Sequence, residues 1–213
     1  SPVIAQWMAD ACKRGHDDLE IRSKAAKLIR SLQPVSIETA GRPTYGDPRA
    51  PVTVVVFADF QCPHCAMEAP RLRRAIDDSS GKAKLVYKHY PLSHHPDAAR
   101  AAAHAEAVLA ANPRKWWEFQ KWIFSNQREL FSDPQAVDGK LRAKAEKLGV
   151  SMANYDAFVR AGRGAGAVDR DHGHGRRAGV TSTPAVFVNG RRVNGDLFKG
   201  SLKKWIAYAL KAD

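Results

Sequence analysis

The sequence predicts an α/β fold: a sheet built around a parallel strand pair, helices on its faces, a helical arm before it and a block of helices inserted within it. Three observations lead there. Val52 to Ala58 is a nearly continuous apolar, β-branched run, the pattern of a central strand covered on both faces. A helical pattern from Pro63 and a second, alternating strand from Lys84 to Tyr90 follow it, and strand, helix and strand in so short a span make a βαβ unit. From Asp97 to about Gly179 the periodicity is helical, with no clear strand.

Taken in order, residues 1–33 form an N-terminal helical arm. Val3, Ile4, Trp7, Met8 and Ala11, then Ile21, Ala25, Leu28, Ile29 and Leu32, recur at helical spacing on either side of a break near Gly15, which predicts two short helices. Gln33-Pro34 stops this pattern. Residues 34–95 form the first part of the sheet domain, opening with a predicted short strand over Val35 to Thr39 and a turn-rich loop through Gly41, Pro43, Gly46, Pro48 and Pro51. The helix after Val52–Ala58 has Pro63 in its first turn, where the missing N–H costs nothing, and ends near Ser79-Ser80-Gly81. Residues 96–179 form an inserted helical domain. It holds an Ala-rich helix from Asp97 to Ala111, an aromatic one from Pro113 to about Leu130, and a segment opening at Ser132-Asp133-Pro134. Two more patterns follow Ser151, a candidate N-cap, and Gly166, with Gly162 to Gly166 as a helix–helix connection. Residues 180–213 form the second part of the sheet domain: a strand over Thr183 to Val188, a two-residue hairpin turn at Asn189-Gly190 into Arg191 to Asn194, and a last helix after Ser201 with Leu202, Trp205, Ile206, Ala209 and Leu210 on one face.

Composition narrows the function classes. With 44% hydrophobic and 26% charged residues, the 213-residue chain can bury a sizeable core. No apolar run approaches the roughly 18 to 20 residues that span a bilayer. The balance of 34 Lys plus Arg against 22 Asp plus Glu gives a net charge of +12, but the basic residues are spread over the chain without a nucleic-acid motif, so a solvated surface is expected and nucleic acid is not. Mild attraction to an anionic membrane surface fits the same charge. Three cysteines are too few for a disulfide-stapled scaffold. The chain opens Ser-Pro without an initiator Met, as expected where a signal sequence has been removed.

The chemistry sits in Cys62-Pro63-His64-Cys65, at the end of the buried strand and the start of a helix. There, unpaired backbone N–H groups and the helix dipole stabilise an anion, so Cys62 is expected to be a thiolate near neutral pH. Cys65, one turn inward and better shielded, suits a resolving thiol, and His64 can add positive charge or a hydrogen bond to the Cys62 sulfur. Stabilising the thiolate favours the reduced pair, which makes its disulfide oxidising. The competing reading is half of a zinc knuckle. It lacks a second Cys-x-x-Cys, leaving only His94 and His95 as further ligands, so no metal site is assigned.

Phe60-Gln61-Cys62-Pro63-His64-Cys65, then Ala69-Pro70 in the following helix, then Thr183-Pro184 opening a late strand with Asn189-Gly190 after it, resembles the thioredoxin superfamily, and within it the DsbA-like thiol-disulfide oxidoreductases of the Cys-Pro-His-Cys type. The order of elements from about residue 35 to 213 carries the resemblance more specifically than any one motif. It implies a thioredoxin fold with the inserted helical domain and N-terminal helical arm, and a site in which Cys62, Pro63, His64 and Cys65 are catalytic. It also implies a cis Thr183–Pro184 bond facing the cysteines, with Thr183 and Pro184 binding substrate, where the residues alone favour an ordinary trans Pro. Pro70 matches a helix-kinking Pro of such folds. One departure stands out: the buried acid that several relatives carry six residues before the first Cys is Val56 here. Asp59 is the nearest acid and reads as a turn residue, leaving proton transfer from Cys65 to water or His64.

The resemblance implies an enzyme without a cofactor that donates a disulfide from the Cys62–Cys65 pair to cysteine-containing polypeptides in the periplasm or another exported compartment, reoxidised by a membrane redox partner. The alternatives are a reductase or isomerase kept reduced, and a metal- or peptide-binding module without catalysis. The arm is a candidate homo-oligomerisation element, though it sustains no heptad run. Cys12, on the arm's apolar side, is expected to be a buried inert thiol. His172 and His174 in Asp-His-Gly-His-Gly fit a solvated helix or turn and are assigned no site. The Trp116, Trp117, Phe119, Trp122 cluster reads as core, with some of it lining a groove beside Cys62.

Overall fold

The computed structural model describes residues 2–194 and 201–212, so the outer limits of the arm and of the last sheet segment, Ser1 and Asp213, and the segment 195–200 lie outside the described residues. Among the described residues five strands form one sheet: β1 (Thr44–Gly46), β2 (Val52–Ala58), β3 (Ala83–His89), β4 (Ala185–Val188) and β5 (Arg191–Arg192), in the order β1-β3-β2-β4-β5. Only β2 and β3 run parallel, paired from Val52–Ala83 to Ala58–His89, with α3 (Pro63–Asp77) as their crossover. β1, β4 and β5 add antiparallel to their neighbours.

Six of the seven residues of β2 face two apolar clusters in alternation, Thr53 being half-buried and in neither. Val52, Val54, Val56 and Ala58 join the larger one with Leu72 and Ile76 of α3 and with Trp205 and Ile206 of α10 (Leu202–Ala212). Val55 and Phe57 join the smaller one with Val86, Tyr90, Val180 and Phe187. Each such side chain, fully buried, contributes about 1.5–3 kcal/mol, which pins the register because a one-residue slip would exchange the faces. β3 is buried on both faces as well, and so deeply that Lys88 and His89 are 1% and 0% exposed.

Between β3 and β4 lie α4 (Ala98–Ala111), a short 3₁₀ turn (Pro113–Lys115), α5 (Trp116–Ser125), α6 (Gln127–Leu130), α7 (Val137–Lys147), α8 (Met152–Arg160) and α9 (Arg163–Arg177). Charged groups fasten this block to β3. Arg42 meets both carboxylate oxygens of Glu106 from α4, at 3.0 and 2.5 Å, and Asp171 of α9 at 3.0 Å. Asp171 also takes Lys88 Nζ at 3.0 Å and the His89 N–H at 3.0 Å, and His89 Nε2 lies 3.0 Å from Glu106. Burial alone would raise the Glu106 pKa, yet hydrogen bonds from His89 and Arg42 hold it down to about 2. The arm folds as α1 (Pro2–Lys13) and α2 (Asp18–Ser31), parted at Gly15, whose φ of 77° an ordinary side chain resists, with Asp17 capping α2 through the Leu19 N–H. No helix among the described residues is long and apolar enough to cross a membrane.

Several expectations need correction. Val35–Thr39 is extended coil, because the open edge of β3 is taken by Thr44–Gly46; Val35 instead donates one bond to Gly190 O at 3.0 Å. The strand expected from Thr183 begins at Ala185. Cys12 is exposed, since the helix turns its neighbour Ala11 inward; Ile29 and Leu210 point outward too, at 49% and 41% exposure. The connection expected over Gly162–Gly166 shrinks to Gly162, in the left-handed region at φ 62°. Gly164 is already helical and lets α9 approach α4, for a Cβ there would lie 2.7 Å from the Ala103 backbone. His172 and His174 are on a helix, half-buried with partners rather than fully solvated: His172 stacks on Tyr90 at 4.4 Å, and His174 Nδ1 sits 2.7 Å from Lys88 Nζ.

Candidate active site

β2 ends at Ala58, and the four residues that follow turn the chain into α3. Asp59 organises this turn. Its carboxylate, 1% exposed, accepts from the backbone N–H groups of Gln61 at 2.6 Å and Leu92 at 2.7 Å and lies 2.8 Å from His95 Nδ1, while its carbonyl accepts from the Cys62 N–H at 3.2 Å. It is the turn residue the sequence suggested, with a span across to the loop after β3 that the sequence did not reveal. Gln61 adds a second tie, its side-chain oxygen accepting from the Asp97 N–H at 2.6 Å.

Cys62 is the N-cap of α3, extended at φ −73° and ψ 117°, with Pro63 at the helix start. Its Sγ is 3.5 Å from the carbonyl oxygen of Thr183, brought from 121 residues away by the pairing of β4 with β2. The Thr183–Pro184 bond is cis, and Pro184 lines an apolar hollow with Cys65, Val56, Ala69, Leu72 and Phe124. None of Trp116, Trp117, Phe119 and Trp122 lines that hollow. Trp116 and Phe119 are core, and Trp117 donates to the carbonyl of Thr44 at 3.0 Å, closing the edge of β1.

Both sulfurs are thiols, and their proton affinities diverge. Cys62 is pulled from an ordinary 9.0 down to about 5, first by the Cys65 thiol, which donates to its sulfur. Burial opposes this, and the Thr183 hydroxyl and the N–H groups of Cys65 and His64 at the helix N-terminus reinforce it. Cys65 is pushed far above the thiol range, because its proton is the one that bridges to Cys62 and because it is buried. The Thr183 hydroxyl is buried and has no partner beside the Cys62 thiol, so it is a donor held ready for the thiolate. His64 reaches the sulfur through its backbone N–H, with its side chain exposed. Pro63 is exposed beside it, and Val56 stands apolar and buried in the hollow, so the buried carboxylate near the pair is Asp59.

This is an arrangement for sulfur chemistry: one thiol of low proton affinity and one that keeps its proton, both nearly buried at 4% and 2% exposure, with a backbone carbonyl beside them. Among the described residues no three His, Cys, Asp or Glu side chains gather to hold a metal, and His95, one of the two extra zinc candidates, is turned to Asp59.

A family model described as thioredoxin matches residues 38–207. The chain is 30% identical to the probable disulfide bond formation protein D of Bacillus cereus, over 78% of this chain and 77% of that protein. It is 36% identical to the Na(+)/H(+) antiporter NhaA 3 of Salinispora tropica over 70% of this chain and 22% of the antiporter, so it spans about a quarter or less of the length of that relative. Among solved structures, oxidised BdbD of Bacillus subtilis matches with a TM-score of 0.66 at 24% identity, over 84% of this chain and 98% of that one. The thiol-disulfide exchange protein α-DsbA2 of Wolbachia pipientis matches with a TM-score of 0.65 at 20% identity, over 90% and 95%.

Proposed function

This chain belongs to the thioredoxin family, and from that premise we propose that it is a DsbA-like thiol-disulfide oxidoreductase that donates the Cys62–Cys65 disulfide to cysteine-containing polypeptides. The observation that carries the reading is the split between the two sulfurs, Cys62 held down to about 5 and Cys65 held above the thiol range. A thiolate stabilised in the reduced pair lowers the energy of the reduced state, so the disulfide is readily given away.

In the cycle, a substrate thiolate attacks Sγ of Cys62 in the oxidised pair. The Cys62–Cys65 bond breaks, and Cys65 leaves with the electron pair and takes up a proton, which its high affinity favours. A second substrate thiolate then attacks the substrate sulfur of the mixed disulfide, and Cys62 leaves as the stabilised thiolate. Two substrate thiols have become one disulfide, and the pair has accepted two electrons. Pro63 presets the first turn of α3, the His64 N–H backs the departing sulfur, and Thr183 and Pro184 offer an extended substrate segment a surface beside Cys62.

The match to the probable disulfide bond formation protein D supports reading the chain as exported and periplasmic, and reoxidation by a membrane partner belongs to the same proposal. Outward-facing Leu19 and Ile29 support the arm as a self-association element, which light scattering of the chain with and without α1 and α2 tests. The domain division at residues 33, 95 and 179 belongs to the same reading.

Equilibrium of the pair with glutathione buffers tests the direction of electron flow. A potential more oxidising than roughly −200 mV is expected; a value near −270 mV would make the chain a reductant or isomerase. Metal retained by the freshly purified reduced protein would favour the metal-binding module instead.

A further inference from the structure

Cys62 owes its low proton affinity to where its sulfur points, and the sulfur's direction depends on the peptide plane that follows it. The Cys62 carbonyl is the first acceptor of α3, taking the N–H groups of Cys65 at 3.1 Å and Ala66 at 3.2 Å. A third donor reaches it from the inserted helices. Gln127, 65 residues away at the start of α6, places Nε2 3.0 Å from Cys62 O and 2.7 Å from Phe60 O. One side-chain amide thus spends its two hydrogens on the carbonyls that flank Gln61.

From this geometry we propose that Gln127 is a positioning residue for the Cys62 sulfur, holding the Phe60–Cys62 loop against the first turn of α3. The inference rests on the reading of Cys62 as the nucleophile. Gln127 is itself well held. Its carbonyl accepts from the Phe131 N–H at 3.0 Å, the preceding Asn126 is tied to Trp122 O at 2.8 Å, and Leu130 at the other end of α6 is 1% exposed. The rings of Phe60 and Phe124 meet at 5.3 Å just beneath, so α5 and the loop are packed together whether or not the amide is present. What the amide adds is the orientation of two peptide planes. Tilting the Cys62 plane would turn Sγ away from the Cys65 thiol, from Thr183 and from the Cys65 and His64 N–H groups, which stabilise its charge.

The test is the 240 nm thiolate absorbance of the reduced full chain against pH, for the parent, Gln127→Met and Gln127→Asn. Met keeps the volume and loses both donors; Asn keeps the amide one methylene short. Gln127→Met is expected to lower the Cys62 acid dissociation constant by about threefold to tenfold, the factor carried by one ordinary hydrogen bond, which cuts the thiolate fraction at the parent's midpoint by about twofold to fivefold. Gln127→Asn should fall between. Exchange with a small disulfide should slow at low pH, by less than the change in dissociation constant because a thiolate of higher proton affinity is the stronger nucleophile, and should equal or exceed the parent rate at high pH, where every form is thiolate. A parent-like titration in Gln127→Met, even with a lowered melting temperature, would reduce Gln127 to packing and overturn the inference while leaving the proposed function intact. A parent Cys62 titrating at the ordinary thiol value would overturn both.

Discussion

The Thr183 hydroxyl is a buried donor with nothing to donate to until Cys62 loses its proton. It favours the charged form of either sulfur of the pair, and of Cys62 above all, so it shifts the balance between redox states without holding the fold together. Thr183→Val, which keeps the shape and removes the hydroxyl, should raise the Cys62 midpoint by about one unit and make the disulfide less oxidising by about 30 mV, since one unit of proton affinity and 30 mV are the same energy for a two-electron couple. Thiolate absorbance and glutathione equilibration measure the two shifts independently. If either stayed at the parent value, the hydroxyl would not be the donor. At the sulfurs themselves the expectation is qualitative. Cys62→Ser should abolish exchange with a reduced test protein, whereas Cys65→Ser should accumulate mixed disulfides visible on a non-reducing gel.

Among the elements, α9 shows how little room the sheet leaves its covering helices. A Cβ on Gly175 would stand 2.6 Å from the Tyr90 ring and 3.0 Å from Phe57. Gly175→Ala should therefore cost about 1–3 kcal/mol in urea unfolding despite alanine's better helix propensity. Gly139, inside α7 with nothing within 4 Å of its Cβ position, supplies the opposite sign: Gly139→Ala should stabilise by up to about 1 kcal/mol. Elements of this kind were readable in the sequence where the signal was local. The Val52–Ala58 run, Pro63 at a helix start and Asn189-Gly190, whose φ values of 43° and 75° suit a two-residue hairpin, each carry their geometry in a few neighbouring residues. The cysteine pair was legible for the same reason. Gln127 on Cys62, Asp59 on Leu92 and Arg42 on Glu106 were not, because each joins residues 33 to 65 apart through side chains whose types are ordinary for exposed positions. Val35–Thr39 misled because an apolar, β-branched segment fits an edge strand equally well, and only the competition with Thr44–Gly46 for β3 decides which one pairs.

For the whole molecule, the divergence of the two sulfurs couples folding to redox state. In the reduced protein, the Cys62 value of about 5 lies below the 9.0 of an ordinary thiol, so between these pH values the fold binds fewer protons than the unfolded chain. Stability from this group therefore rises as pH climbs from about 5 to 9, is complete above 9, and is lost as pH falls through 5. Cys65 works with the opposite sign: its raised affinity keeps a proton that the unfolded chain gives up, so its contribution is full below 9 and declines above it. In the oxidised protein neither sulfur titrates. The difference in unfolding free energy between the reduced and oxidised forms should then climb between pH 5 and 9, by no more than about 1.4 kcal/mol per pH unit and less where solvent screens the sulfur, and turn over above 9. Subtracting the two forms cancels groups common to both, including Glu106, whose carboxylate takes up its proton as pH falls toward 2. Urea titrations of each form at five or six pH values give the curve directly. A difference that stayed flat from pH 5 to 9 would mean that the fold does not favour the Cys62 thiolate, and the force that makes this pair surrender its disulfide would be missing.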